Sequence, residues 1–97
     1  MEATKEARSH VECLVREAVL GRRFGSTRVQ AVDVVLQDDC TGEPALFIEL
    51  TLPEPAAPTW PTEDTKELRR TVRELITGEL PGLMFYTQFR VGAPAPA

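Results

Sequence analysis

From Lys5 to Leu20 the apolar residues Ala7, Val11, Leu14, Val15, Ala18 and Val19 recur at spacings of three and four. That spacing predicts one amphipathic helix with a single apolar stripe. Thr4 suits the N-cap, Glu6 in the first turn complements the helix dipole, and Gly21 provides a stop. Arg22 to Thr27 reads as a connecting loop.

The pattern then changes period. Two apolar runs, Val29 to Leu36 and Ala45 to Leu52, flank the acidic turn Asp38-Asp39-Cys40-Thr41-Gly42-Glu43-Pro44, which predicts a β-hairpin. Val32, Val34 and Leu36 share one face of the first strand, as Leu46, Ile48, Leu50 and Leu52 do on the second. Pairing Val34 with Ile48 sets Leu36 opposite Leu46 and Val32 opposite Leu50, so both apolar rows fall on one side. A slip of one residue would split them.

Pro53 to Pro61 holds four prolines and continues neither regular structure, so it predicts a stiff crossover that Trp60 pins to the edge of the core. A second helix is expected from Thr62–Asp64, with Asp64 as N-cap and Glu67 at capping-box spacing. Leu68, Val72, Leu75 and Ile76 form its stripe, and Gly78 ends it. After the turn Leu80-Pro81-Gly82, Leu83 to Val91 alternates again. Leu83, Phe85, Phe89 and Val91 lie on one side, with Met84, Tyr86, Gln88 and Arg90 on the other.

The order α-β-β-α-β predicts a two-layer α+β domain, a three-stranded sheet with two helices packed on one face. Residues 1–92 form the domain, and 93–97 a flexible Pro/Ala tail. Two strand orders remain open. The third strand beside the first gives a wholly antiparallel sheet; beside the second it gives a mixed sheet with a crossover.

Such a fold leaves one sheet face uncovered. It should carry Val29, Ala31, Asp33 and Val35, then Ala45, Phe47, Glu49 and Thr51, then Met84, Tyr86, Gln88 and Arg90. Half of it is apolar, which marks an interface for a second copy or a protein partner. The favoured register opposes Asp33 and Glu49, a destabilising like-charge pair, so either a cation such as Arg90 compensates or the register differs by two residues.

Composition narrows the chemistry. With 97 residues, 42% of them hydrophobic and 27% charged, the chain is ordinary globular material. No apolar run reaches the roughly 18 residues of a membrane span, and the polar start lacks a signal-peptide pattern, so a cytoplasmic setting is expected. Cys13 and Cys40 have no metal-type spacing and read as unrelated thiols. His10, Cys13 and Glu17 could share a helix face, but they fall short of a four-ligand zinc set. The acidic turn resembles a calcium loop in composition only. No nucleophile motif or phosphate-binding glycine loop occurs, and a single histidine limits general-base chemistry. No cofactor and no metal are expected. A net charge of −4 disfavours nucleic acid, although arginines cluster at Arg22, Arg23 and Arg28 and at Arg69, Arg70 and Arg73.

The element order is similar to the type II KH-like arrangement of small ribosome-associated RNA-binding domains, including ribosome-binding factor A. The resemblance spans roughly residues 5–91 and implies RNA or ribosome association, through Arg22, Arg23, Arg69, Arg70 and Arg73 here. The Gly-x-x-Gly clamp of nucleic-acid-binding KH domains is missing: Gly78-Glu79-Leu80-Pro81-Gly82 has another spacing, an acid and a proline. The run Thr41 to Ile48, with Leu68-Arg69-Arg70 and Leu75 downstream, also looks like small uncharacterised bacterial proteins, a resemblance that implies no activity.

The main expectation is a non-catalytic binding or assembly module, a protein-interaction or regulatory accessory that is homodimeric through its open sheet face. Its alternatives are an RNA- or ribosome-associated factor and a minimal enzyme built on Asp33, Glu49, Tyr86 and Arg90.

Overall fold

A computed structural model describes residues 2–94. Its elements are helix α1 (Lys5–Val19), strands β1 (Arg23–Phe24), β2 (Thr27–Arg28), β3 (Ala31–Asp38) and β4 (Pro44–Leu52), helix α2 (Thr62–Glu79) and strand β5 (Phe85–Val91). The α+β class is as the periodicity predicts. The main sheet has the order β3-β4-β5, with β3 antiparallel and β5 parallel to β4. The mixed alternative is therefore the observed one.

Burial explains why β4 takes the centre. Its leucine-bearing side is sealed, with Leu46, Ile48, Leu50 and Leu52 all at 0%, and its other side also buries Ala45 and Glu49. Only a strand flanked on both sides loses solvent on both faces. The β3–β4 register is the expected one, Val32↔Leu50, Val34↔Ile48 and Leu36↔Leu46, with Asp33 opposite Glu49.

The Thr4 side chain caps α1 by accepting from the Ala7 amide at 3.1 Å. Its buried stripe is Ala7, Val11, Val15 and Val19, strict i, i+4 spacing that lays one narrow ridge on the sheet. The Leu68, Val72 and Ile76 ridge of α2 does the same, and Phe24 and Val29 close the core beside them.

Three local expectations are corrected. Arg22 to Thr27 is not a loop but a tight hairpin, in which β1 pairs with β2 around Gly25 at φ +63. Glycine at the first turn position of a two-residue hairpin supplies that conformation without strain. Asp64 is not an N-cap. Pro61 holds that position without a side-chain bond, and the Asp64 carboxylate instead accepts from the Ser26 amide, the Ser26 hydroxyl and the Thr27 hydroxyl at 3.2, 3.0 and 2.8 Å. Nor does Gly78 stop α2, which runs through it to Glu79 and caps at Leu80.

Trp60 pins the crossover as expected: its indole N–H donates to the Pro53 carbonyl at 2.7 Å and its ring meets Phe89 at 6.2 Å. The start of the expected tail is tied down. The Gln30 amide donates to the Ala93 carbonyl at 2.9 Å and accepts from the Ala93 N–H at 3.1 Å. The rest of that expectation, residues 95–97, lies outside the described residues.

Candidate interaction face of the sheet

The side of the sheet away from the helices is ordered in rows by the strand register. Val35, Phe47 and Tyr86 form one row across all three strands, and Asp33, Glu49 and Gln88 form the next. Ala31, Thr51 and Arg90 lie beyond it, and Met84 follows the apolar row at the other end, just before β5. Val35, Met84 and Tyr86 are among the most exposed large hydrophobic side chains, at 37, 49 and 39%. Leu46, Ile48 and Leu50 on the opposite side are sealed.

The aromatic row is held rigidly. The Phe47 and Tyr86 rings stack at 5.2 Å with a 25° tilt. The Tyr86 hydroxyl donates to Asp39 Oδ2 at 3.1 Å. Asp39 is itself fixed in the hairpin turn, where its Oδ1 accepts from the Thr41 hydroxyl at 2.6 Å, the Thr41 amide at 2.9 Å and the Glu43 amide at 3.1 Å. These donors, the Thr41 hydroxyl foremost, hold the Asp39 carboxyl below the usual aspartate range. Donation to that carboxylate raises the Tyr86 phenol above its ordinary value. A ring stacked on one side and anchored at its hydroxyl loses little further freedom when something docks on it.

The charged row is resolved by a cation from the neighbouring strand. Arg90 reaches across to Glu49 at 2.5 Å, which offsets the like-charge pair Asp33–Glu49. Glu49 is 7% exposed, so its carboxylate is the buried partner of that bridge. Around Asp33, Glu49, Tyr86 and Arg90 this face carries no histidine, serine or cysteine, and Thr51 is the one aliphatic hydroxyl in the neighbouring row. The arrangement reads as charge balancing between neighbouring strands.

One expected member is absent from the face. Val29 is 1% exposed and belongs to the core. Its N–H donates to the Arg22 carbonyl and its carbonyl accepts from the Gly21 N–H, so the chain bends before β3 begins at Ala31 and turns Val29 inward. Val91 departs in the opposite sense. Expected on the covered side, it is 63% exposed, because it closes a strand at the rim of the sheet.

The arginines of the two sequence clusters lie on neighbouring elements, since β1 packs against α2. The Arg22 guanidinium stands over the Phe24 ring at 5.3 Å and the Arg69 guanidinium over Phe89 at 4.9 Å. Arg70 pairs with Glu67, which keeps that carboxyl below its ordinary range, with Arg22 adding a smaller effect. Arg23 and Arg73 are exposed.

His10 and Cys13 are both exposed on α1, and Cys13 donates only to Glu17, at 3.7 Å. Among the described residues no three of His, Cys, Asp and Glu are grouped to hold a metal ion. The role of Asp39 was not readable from its neighbours: Asp-x-Thr signals an Asx turn, but nothing local shows that its second oxygen meets a tyrosine on another strand.

No family model matches the chain, and no curated protein matches it. Among solved structures it is similar to a chain from work on the mode of action of CzrB, a proposed zinc transporter. The TM-score is 0.55 at 18% identity, over 94% of this chain and 99% of the other. At that identity the likeness concerns the fold. Among the described residues no helix is long and apolar enough to cross a membrane.

Proposed function

We propose that this protein is a small binding and assembly module that self-associates through its open sheet face and serves as a protein-interaction or regulatory accessory. The observation that carries this reading is the exposed row Val35–Phe47–Tyr86, extended by Met84, on a sheet whose other face is already sealed by both helices. Contiguous apolar surface of that kind on a small domain gains free energy when covered, at about 25 cal/mol per Å². The polar rows beside it set orientation more than affinity.

The support is steric and electrostatic together. The face spreads its apolar side chains in a row across three strands, which suits another protein surface better than a small molecule. Its aromatic pair is preorganised by Asp39, and its one buried carboxylate already has a cation. Sedimentation velocity across a concentration series tests the reading. The wild-type chain should sediment as a dimer and Val35→Lys as a folded monomer; a monomeric wild type with no co-purifying partner would contradict it.

A further inference from the structure

The two outer edges of the sheet are treated differently. On β3 the Asp39 N–H donates to the Glu43 carbonyl, a parity that makes the odd-numbered residues face β4 and sends the carbonyls of Val32 and Val34 outward. Those two carbonyls are covered from α1: Arg16 donates to Val32 at 3.3 Å and Arg8 to Val34 at a long 3.5 Å. Arginines laid along an edge block the addition of another strand.

The β5 edge has no such cover. Leu46 N–H donates to the Met84 carbonyl and Gly92 N–H to the Leu52 carbonyl, so Tyr86, Gln88 and Arg90 face β4 with both backbone groups. Phe85, Thr87, Phe89 and Val91 therefore present theirs outward. Among the described residues no hydrogen bond from another element reaches them. The strand has no proline, lysine or bulge, the usual devices that discourage pairing.

Unpaired cations flank this open edge on the helix side. On the helix side Arg69 lies over Phe89, with Lys66 and Arg73 three residues before and four after it on the same flank of α2. All three are exposed, and no ion pair to them occurs among the described residues. On the open side the Arg90 charge is taken up by Glu49, so the unpaired cations beside the edge are those of α2. In a chain of net charge −4 this is a local reversal of sign.

We propose that the β5 edge is a docking site for an extended acidic segment of a partner protein, which adds to the sheet as a fourth strand. Main-chain hydrogen bonds to Phe85, Thr87, Phe89 and Val91 supply the affinity. Lys66, Arg69 and Arg73 select acidic side chains. A second copy of this chain fits the edge less well, because a two-fold pairing of β5 would bring the like-charged Lys66, Arg69 and Arg73 flanks of both copies onto one face of the joined sheet. The site is separate from the open face and does not depend on self-association there.

The test is a titration of the ¹⁵N-labelled protein with an eight-residue peptide alternating glutamate and threonine, and with its lysine–threonine counterpart. The glutamate peptide should shift the amides of Phe85, Thr87, Phe89 and Val91 and slow hydrogen exchange at Thr87 and Phe89. The lysine peptide should bind at least about tenfold more weakly. Thr87→Pro removes an outward N–H without touching the β4 ladder and should weaken binding by about tenfold or more. Arg69→Glu combined with Arg73→Glu should do the same and leaves the strand intact. Equal binding of the two peptides, shifts confined to Val35 and Phe47, or full affinity in both variants would overturn the proposal. So would shifts at β5 that appear on concentrating the protein without peptide, which would assign the edge to a second copy. Val35→Lys separates the two sites: it should leave peptide binding unchanged whether or not it alters the mass of the assembly.

Discussion

The Asp64 carboxylate fills the space that a side chain at Gly25 would need. Its Oδ2 takes three hydrogen bonds from Ser26 and Thr27, and a Cβ added at Gly25 would overlap Oδ1. One residue at the start of α2 thus fixes the small β1–β2 hairpin, and the hairpin must be tight and glycine-bearing to receive it. Gly25→Ala meets both the overlap and the positive φ. It should destabilise the fold by about 2 kcal/mol or more in urea denaturation. Asp64→Ala should cost about 2–3 kcal/mol by removing a charged acceptor from three donors. A loss below about 0.5 kcal/mol in both variants would contradict this coupling.

The Asp33–Glu49–Arg90 row predicts opposite signs for neighbouring substitutions. Asp33→Asn removes a like charge directly across from Glu49 and should stabilise by about 0.2–1 kcal/mol. Arg90→Ala leaves the buried Glu49 without its cation and should destabilise by about 1 kcal/mol, moderated because Arg90 itself is largely exposed. In the Glu49→Gln background the Arg90→Ala loss should shrink toward zero. A double-mutant cycle on thermal unfolding reads this coupling directly.

The Tyr86–Asp39 bond predicts two limbs of pH dependence. Asp39 is held below its ordinary value when folded, so its contribution is present above the usual aspartate range near about pH 4 and is lost as pH falls through the lowered value. Tyr86 is raised, so its contribution is present below the ordinary tyrosine value near about 10 and is lost as pH rises through the raised one. Tyr86→Phe should flatten the alkaline limb and leave most of the acid limb, since Asp39 keeps its turn donors. Absorbance titration of the phenol checks the sign: a midpoint at or below that of free tyrosine would contradict the bond.

Gln30 should govern the order of the chain after β5. Its two bonds to Ala93 close the end of the sheet, and Gly92 leaves room for them, since a Cβ there would overlap Gln30 and Thr51. Gln30→Ala is expected to cost about 1 kcal/mol and to speed hydrogen exchange at the Ala93 amide. Unchanged exchange there would show that the clamp does not form in solution.

The hydrophobic rows of the hairpin fixed its parity, because a slip of one residue would have exposed Leu46, Ile48 and Leu50; they left the absolute register open, since a slip of two residues buries the same side. Strand order was open as well, because both candidate sheets bury the same rows. Long-range polar contacts were equally hidden. Val29 looks like the first residue of an alternating run, yet the carbonyl of Arg22 draws its backbone away from β3. Asp64 has the spacing of a cap, yet the hairpin competes for its carboxylate. The open face was legible in outline, as the complement of the leucine rows. Its rigidity was not, since the link from Asp39 to Tyr86 joins residues 47 positions apart.

Isotope-filtered NOE spectroscopy on an equimolar mixture of labelled and unlabelled protein tests the central claim most directly. Cross-peaks between protomers should connect Val35, Phe47, Met84 and Tyr86 with one another and vanish in Val35→Lys. Their absence at millimolar concentration, or their appearance only between residues of α1 and α2, would contradict self-association through the sheet.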